Sequence, residues 1–221
     1  MNVNDAIKNR ISTRAYLDKP LPTSVIENIL ETARWAPSGT NTQPWQVAVV
    51  SGASKNAITK SLIKAWKDGD KPDPDYDYYP KEWIEPFKKR RFDCGMALYS
   101  SLDIKRDDTD KRNAVWQANY EFFNAPVTLF FFIDRVMEKG SWFDMGMFVQ
   151  NVMLAAEEQG LGTCPQASTA DYPNIVRKEL GMDNQFSLIC GLTMGYPDPD
   201  AAINQYRTTR EDVNSFTSWH D

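Results

Sequence analysis

The chain has 221 residues, enough for one large domain with a substantial core, and its 42% hydrophobic and 25% charged residues are ordinary for a globular protein. A formal net charge of −5 leaves no basic field to recruit nucleic acid or an anionic membrane surface, so an anionic ligand would need locally clustered cations. The single histidine, His220, is next to the C-terminus, which disfavours histidine-dependent triads and His-rich metal sites; no metal is expected, and any chemistry points to a cofactor.

In chain order, Val3–Arg10 reads as a short helix, and Ser24-Val25-Ile26-Glu27 behind Pro22 as a capping box. Val25, Ile26, Ile29, Leu30 and Ala33 continue at helical spacing to about Trp35. Gln46–Val50 reads as a buried strand and Ser54–Trp66 as a helix. Residues 67–81, with three prolines and five aspartates, form a loop; their three tyrosines leave open whether it packs or is a solvated excursion. Glu82–Leu102 and Asp110–Phe123 read as helices, and Val127–Ile133 as a central strand, apolar on both faces.

Asp144–Gly160 reads as a long helix with Met147, Phe148, Asn151, Val152, Leu154 and Ala155 on its inner side and Gly160 as its cap. Asp171 is expected to cap a helix to Leu180, with Pro173 in the first turn, before a last strand, Ser187–Met194. From Asp198 the tail is polar, with Tyr206, Phe216 and Trp219 as its large apolar anchors, and is expected to wrap a partner subunit. The pattern predicts an α+β sandwich, a small mixed sheet flanked by helices, as a single domain over 1–221.

The longest apolar run is strand-sized, and the N-terminus lacks a secretory pattern. Cys94, Cys164 and Cys190 are widely spaced and read as buried thiols of a reducing compartment, so a cytoplasmic protein is expected. Neither a Gly-x-Gly-x-x-Gly nor a Gly-x-x-x-x-Gly-Lys phosphate turn occurs.

Two N-terminal motifs stand out. Arg10, Ser12 and Arg14 would share one face of an extended segment, and arginine forks suit a phosphate. A charged linker between helices accounts for the same spacing. Pro37-Ser38-Gly39-Thr40-Asn41 is dense in turn formers that can bond a ligand or merely neighbouring backbone, and Trp45 is most simply core.

Jointly, Arg10-x-Ser12-x-Arg14 and Ala36-Pro-Ser-Gly-x-Asn41-x-Gln43-Pro-Trp45 resemble the two N-terminal signatures of the nitroreductase family of FMN-dependent oxidoreductases. Gly160-Leu-Gly-Thr-Cys-Pro-Gln-Ala-Ser168 and Gly195-Tyr196-Pro197 with Arg207 and Arg210 resemble its later segments, so the likeness spans residue 5 to about 215, with 67–120 idiosyncratic. The resemblance implies that Arg10, Ser12 and Arg210 hold the FMN phosphate, with Arg207 as the second C-terminal candidate. Arg14 would lie near flavin N1 and O2, where reduction places negative charge. Pro165, Gln166 and Ala167 would meet N5 and O4. Pro37, Ser38, Gly39, Asn41 and Gln43 would reach the flavin of the other subunit in a homodimer with FMN at the interface. The implied reaction is ping-pong reduction of nitroaromatics or quinones by NADH or NADPH. Reductive dehalogenation, ene or flavin reduction, or flavin binding without turnover stand as alternatives.

Residues 67–124 are expected to form a variable lid, with Thr40, Tyr79, Trp83, Phe87, Trp116, Tyr120 and Phe123 as candidate contacts to a small aromatic acceptor. Arg90, Arg91, Arg106 and Arg112 are candidates to pair with a substrate carboxylate, although a helical subdomain with its own small core would look the same.

Overall fold

The computed structural model of the protein describes residues 1–220; Asp221, the last position of the expected tail, lies outside them. Among the described residues β1 (Trp45–Ser51), β2 (Val127–Asp134), β3 (Gly162–Gln166) and β4 (Phe186–Gly195) form one sheet in the order β1-β2-β4-β3. Around it lie α1 (Val3–Asn9), α2 (Thr23–Ala33), α3 (Gly52–Asp68), α4 (Phe87–Ser101), α5 (Thr109–Tyr120), α6 (Lys139–Glu158) and α7 (Pro173–Leu180).

The strand alternation of β2 divides the core. Leu129, Phe131 and Ile133 face α2 and α6 through Ile29, Ala33, Met145, Phe148 and Val152. Phe130 and Phe132 face α3 and α7 through Ile58, Leu62 and Val176. The three consecutive phenylalanines are fully buried, each contributing about 1.5–3 kcal/mol of hydrophobic stabilisation. Trp45 is part of this packing, stacked on Phe148 at 4.6 Å between ring centres.

The sheet departs from the mixed one expected: all three strand pairings are antiparallel. The α6 crossover does make β2 and β3 run the same way, but β4 inserts between them and pairs with both. Parallel contact survives as the single bridge from Ser12 to Thr163.

Several helix boundaries also differ. The capping box does not form; Pro22 occupies the cap of α2 with no side-chain bond. Helix α6 starts at Lys139 rather than Asp144, with Trp142 packed edge-on against Tyr76 at 4.6 Å; Gly140 and Ser141, weak helix formers, hide this turn in the sequence. Its buried side includes Met145, Val149, Met153 and Ala156, whereas Met147, Asn151 and Leu154 are only partly covered. Asp171 ends a 3-10 turn and faces the Tyr120 hydroxyl, leaving Tyr172 at the cap of α7. Helix α4 starts at Phe87 rather than Glu82, and α5 stops at Tyr120 because Phe122, Phe123 and Asn124 adopt positive φ of 54°, 51° and 57°. Cys94 is exposed, unlike buried Cys164.

The aspartate-rich loop packs. Strand β3 ends at Gln166 opposite Gly191, so residues 186–190 of β4 have no strand on that side. A bulge skips Ile189 in the pairing with β2. The Leu188 amide donates to Asp75 Oδ2 at 2.9 Å, and the Tyr76 hydroxyl donates to the Ile189 carbonyl at 2.5 Å. Two loop side chains thereby cover an edge that would otherwise invite pairing with another chain. Asp75 is itself gripped by Arg177 Nη1 at 2.5 Å and Nη2 at 3.1 Å and by Arg135 at 2.5 Å.

Candidate active site

Helix α1 ends at Arg10, and the chain then runs extended along the outer edge of β3. The Thr13 amide donates to the Thr163 carbonyl at 2.9 Å, and Thr13 is buried against the strand. This approach needs a glycine opposite it: a Cβ on Gly162 would lie 2.7 Å from Thr13 Cβ and 2.8 Å from Cγ2. With Thr13 turned inward, Arg10, Ser12 and Arg14 project the other way, as their alternation predicts.

All three line one cavity of about 600 Å³, and Arg207 and Arg210 line it too. The tail returns over its own chain to supply them. Asn204 accepts the Arg14 amide at 2.9 Å, and the Arg14 guanidinium donates to the Tyr206 hydroxyl at 3.0 Å and the Ser12 carbonyl at 3.3 Å. Arg207 donates to the Lys8 carbonyl, Arg210 to Thr208 Oγ1 at 2.8 Å, and Glu211 pairs with Arg90 of α4 at 3.0 Å. The first part of the tail thus packs on its own chain, while Phe216 and Trp219 are 71% and 77% exposed.

The electrostatics call for an anion. Among the described residues no carboxylate forms an ion pair with Arg10, Arg14, Arg207 or Arg210. Burial and then the neighbouring Arg210 pull the Arg10 pKa down, with Arg207 adding to the effect against Glu157 and Cys164. Glu157, whose pKa burial pushes up, lies close enough to feel Arg10 and Arg207. Burial likewise raises the Cys164 thiol, against Arg14, Ser12 and Arg10, so this buried cysteine is a neutral packing group rather than a nucleophile. Cations crowded this way gain most from a dianion carrying several acceptor oxygens.

Cys94, Tyr206, Lys8, Ile7, Ile11 and Thr208 also line the cavity and escaped the sequence reading. Lys8 closes the last turn of a helix that delivers Arg10, a placement that adjacency could have suggested. Nothing in the sequence marks Cys94, which reaches the cavity only because α4 packs beside the tail.

The loop 37–43 is built but does not line this cavity. The Gly39 amide donates to Asp144 Oδ2 of α6 at 3.1 Å, and the Gln43 amide to Ser38 Oγ at 3.0 Å. Thr40, Asn41 and Gln43 hold positive φ of 50°, 61° and 49°, a left-handed backbone that asparagine tolerates but threonine and glutamine avoid. Pro37, Gly39, Thr40, Asn41 and Gln43 are exposed, so this strained turn presents its polar groups outward.

At the end of β3, Pro165 is exposed and Ala167 half-buried, while Gln166 is buried and donates to the Asn119 carbonyl at 2.8 Å. Of the candidate acceptor contacts, Tyr79 lies 4.7 Å from Tyr78 and 5.6 Å from Trp83, and Phe87 and Trp116 are exposed. Tyr120 and Phe123 are placed in the core instead. Tyr120 packs between Trp66 and Tyr172, and the left-handed turn at 122–124 rolls Phe123 inward.

The profile of the nitroreductase family matches residues 7–196. The chain belongs to the nitroreductase family. It is 36% identical over 211 residues to 4-nitrobenzoate reductase of Pseudomonas putida, covering 96% of this chain and 92% of that protein. The crystal structure of the FMN and NADPH-dependent nitroreductase NfnB from Sphigopyxis sp. strain HMH superposes with a TM-score of 0.98 at 39% identity, covering all of both chains. The FMN-dependent nitroreductase NfnB from Mycobacterium smegmatis, solved in complex with NADPH, gives 0.94 at 33% identity over 99% of this chain and 97% of that one.

Proposed function

We propose that this nitroreductase-family protein is an FMN-dependent oxidoreductase that uses NADPH or NADH to reduce nitroaromatics or quinones. The observation that carries this reading is the cavity where Arg10, Ser12, Arg14, Arg207 and Arg210 meet and where, among the described residues, no carboxylate forms an ion pair with the arginines. Arg10 and Arg210 hold the FMN phosphate, supported by Ser12 and by Arg207. Arg14, held in place by the Tyr206 hydroxyl, sets a fixed positive charge along the cofactor where reduction adds negative charge. Held there, FMN would supply the redox chemistry between nicotinamide and acceptor, so the site needs no histidine. Backbone groups of Pro165, Gln166 and Ala167 meet the ring edge, and residues 67–124 act as a lid rather than a separate domain.

The strained, outward-facing loop of Pro37, Ser38, Gly39, Asn41 and Gln43 supports a homodimer in which this loop closes the partner's site. Exposed Phe216 and Trp219 fit a tail end that packs on that partner. Three cysteines without a disulfide suit a reducing cytoplasm, and no helix of the described residues is long and apolar enough to cross a membrane.

Purified protein is expected to carry flavin absorbance that NADPH or NADH bleaches anaerobically and a nitroarene restores. Arg10→Ala is expected to weaken FMN binding by about ten- to a hundredfold, the loss of one charge-assisted contact. Protein that stays colourless after FMN is added overturns the assignment. Yellow protein that neither nucleotide bleaches overturns turnover and leaves flavin binding alone.

A further inference from the structure

The four lid arginines are held very differently. Arg90 is neutralised by Glu211 at 3.0 Å. Arg112 donates to the Arg106 backbone carbonyl at 3.1 Å and lies 5.6 Å from the centre of the Tyr99 ring. Arg106 offers only that carbonyl to the arrangement. Arg91 alone of the four joins an aromatic row, its guanidinium 4.9 Å above the Trp83 ring, and among the described residues no carboxylate pairs with it.

The row is continuous. Trp142 meets Tyr76 at 4.6 Å, Tyr76 meets Tyr78 at 6.2 Å, Tyr78 meets Tyr79 at 4.7 Å, and Tyr79 meets Trp83 at 5.6 Å. Its inner end is fixed where the Tyr76 hydroxyl bonds Ile189, two residues from Gly191, which pairs with Gln166 at the end of β3. Its outer end, Trp83, precedes α4 and is covered by Arg91 of that helix, which is three residues before Cys94 of the arginine cavity. Tyr78 and Tyr79 are exposed along this path. The exposed Tyr78 and Tyr79 leave an aromatic surface on which an arene can stack, beside the helix that brings Cys94 to the cavity. A guanidinium stacked by its π-face keeps its edge N–H groups free, and that edge matches a carboxylate with two parallel hydrogen bonds.

We infer that Arg91, seated on Trp83, is the anion-recognising residue of the acceptor site, selecting nitroaromatics that carry a carboxylate or similar anionic substituent. This rests on the nitroarene reading above. The test compares 4-nitrobenzoate with nitrobenzene as acceptors for FMN-loaded enzyme. Arg91→Gln is expected to lower kcat/KM for 4-nitrobenzoate about tenfold, change nitrobenzene by less than about twofold, and leave reduction by NADPH unchanged. Arg91→Lys keeps the charge without the planar fork and is expected to fall between, which preserves the test if the glutamine variant folds poorly. An unchanged preference in both variants overturns the assignment of Arg91, as does an equal loss for both acceptors or a matching loss with NADPH. Wild-type enzyme that NADPH bleaches but that reduces neither nitroarene overturns the acceptor class itself.

Discussion

The segment Arg10–Arg14 and helix α4 border the same cavity, yet one is backed by a sheet and the other by almost nothing. Thr13 is buried against β3 across a glycine, whereas α4 has no buried residue and is held through Arg90 and the tail. The loop leading into α4 is fastened by the side chains of Asp75 and Tyr76 on an open strand edge, with the Asp73 amide donating to the Asp171 carbonyl at 3.0 Å and the Tyr172 hydroxyl to the Asp70 carbonyl at 3.1 Å. Strand edge and buried Thr13 therefore fix the cationic end, where geometry must not drift, while the aromatic end rests mainly on a few side-chain contacts that substitutions can alter without disturbing the sheet.

The largest expected effect comes from cutting the strongest of those loop fastenings. Asp75 and Arg177 are 6% and 4% exposed at their side chains, so Asp75→Ala leaves a buried cation unpaired and is expected to cost about 3–5 kcal/mol in urea unfolding. Loop 67–81 should become the first site of limited proteolysis. Burial pushes the Asp75 pKa up, but Arg177, the Leu188 amide and Arg135 outweigh it, and the net shift is downward. A depressed carboxylate contributes fully above its unfolded value of about 3.9 and loses that contribution as pH falls through the folded value. Wild-type stability should therefore fall below about pH 4 more steeply than that of Asp75→Asn. A cost under about 1 kcal/mol for Asp75→Ala would mean the loop is held elsewhere.

Two glycine substitutions separate the sheet-backed wall from helix α4 more directly. Gly162→Ala forces a methyl into Thr13 and is expected to cost about 1–3 kcal/mol while weakening FMN binding, because Arg10, Ser12 and Arg14 move together. Gly95→Ala on α4 meets nothing within 4 Å and is expected to leave stability unchanged or raise it by up to about 1 kcal/mol. Equal losses at the two positions, measured by thermal unfolding with and without FMN, would erase the distinction drawn here.

What the sequence disclosed follows the same division. Strand β2, the inward face of Val25 to Ala33 and the shared face of Arg10, Ser12 and Arg14 were legible, because period-two and helical repeats report which side meets the core. The tail arginines came from family resemblance rather than spacing, since their return depends on the distant partners Asn204 and Lys8. Tyr120 and Phe123 were misplaced because aromatic content does not distinguish a lid from a core, and a left-handed turn at two phenylalanines has no local signal. The antiparallel sheet was hidden in strand order: no local pattern says that β4 inserts between β2 and β3. Asp75 looked like one solvated aspartate among five because its partners lie about a hundred residues away.

The smallest effect tests whether the two N-terminal motifs serve different flavins. Asp144→Ala removes the acceptor of the Gly39 amide at 3.1 Å and is expected to weaken FMN binding by about 1 kcal/mol, less than Arg10→Ala, by loosening the loop at 38–43. In a mixed dimer of one Arg10→Ala and one Asp144→Ala protomer, the two defects should fall in the same site if the loop closes the partner's flavin. The other site would combine the intact arginine of the Asp144→Ala protomer with the intact loop of the Arg10→Ala protomer. One FMN per dimer should then bind with wild-type affinity, tighter than in either parent homodimer. If the loop instead serves its own chain, every site in the mixed dimer carries one defect. The titration would then be the average of the two parents, and the shared-site arrangement would be wrong.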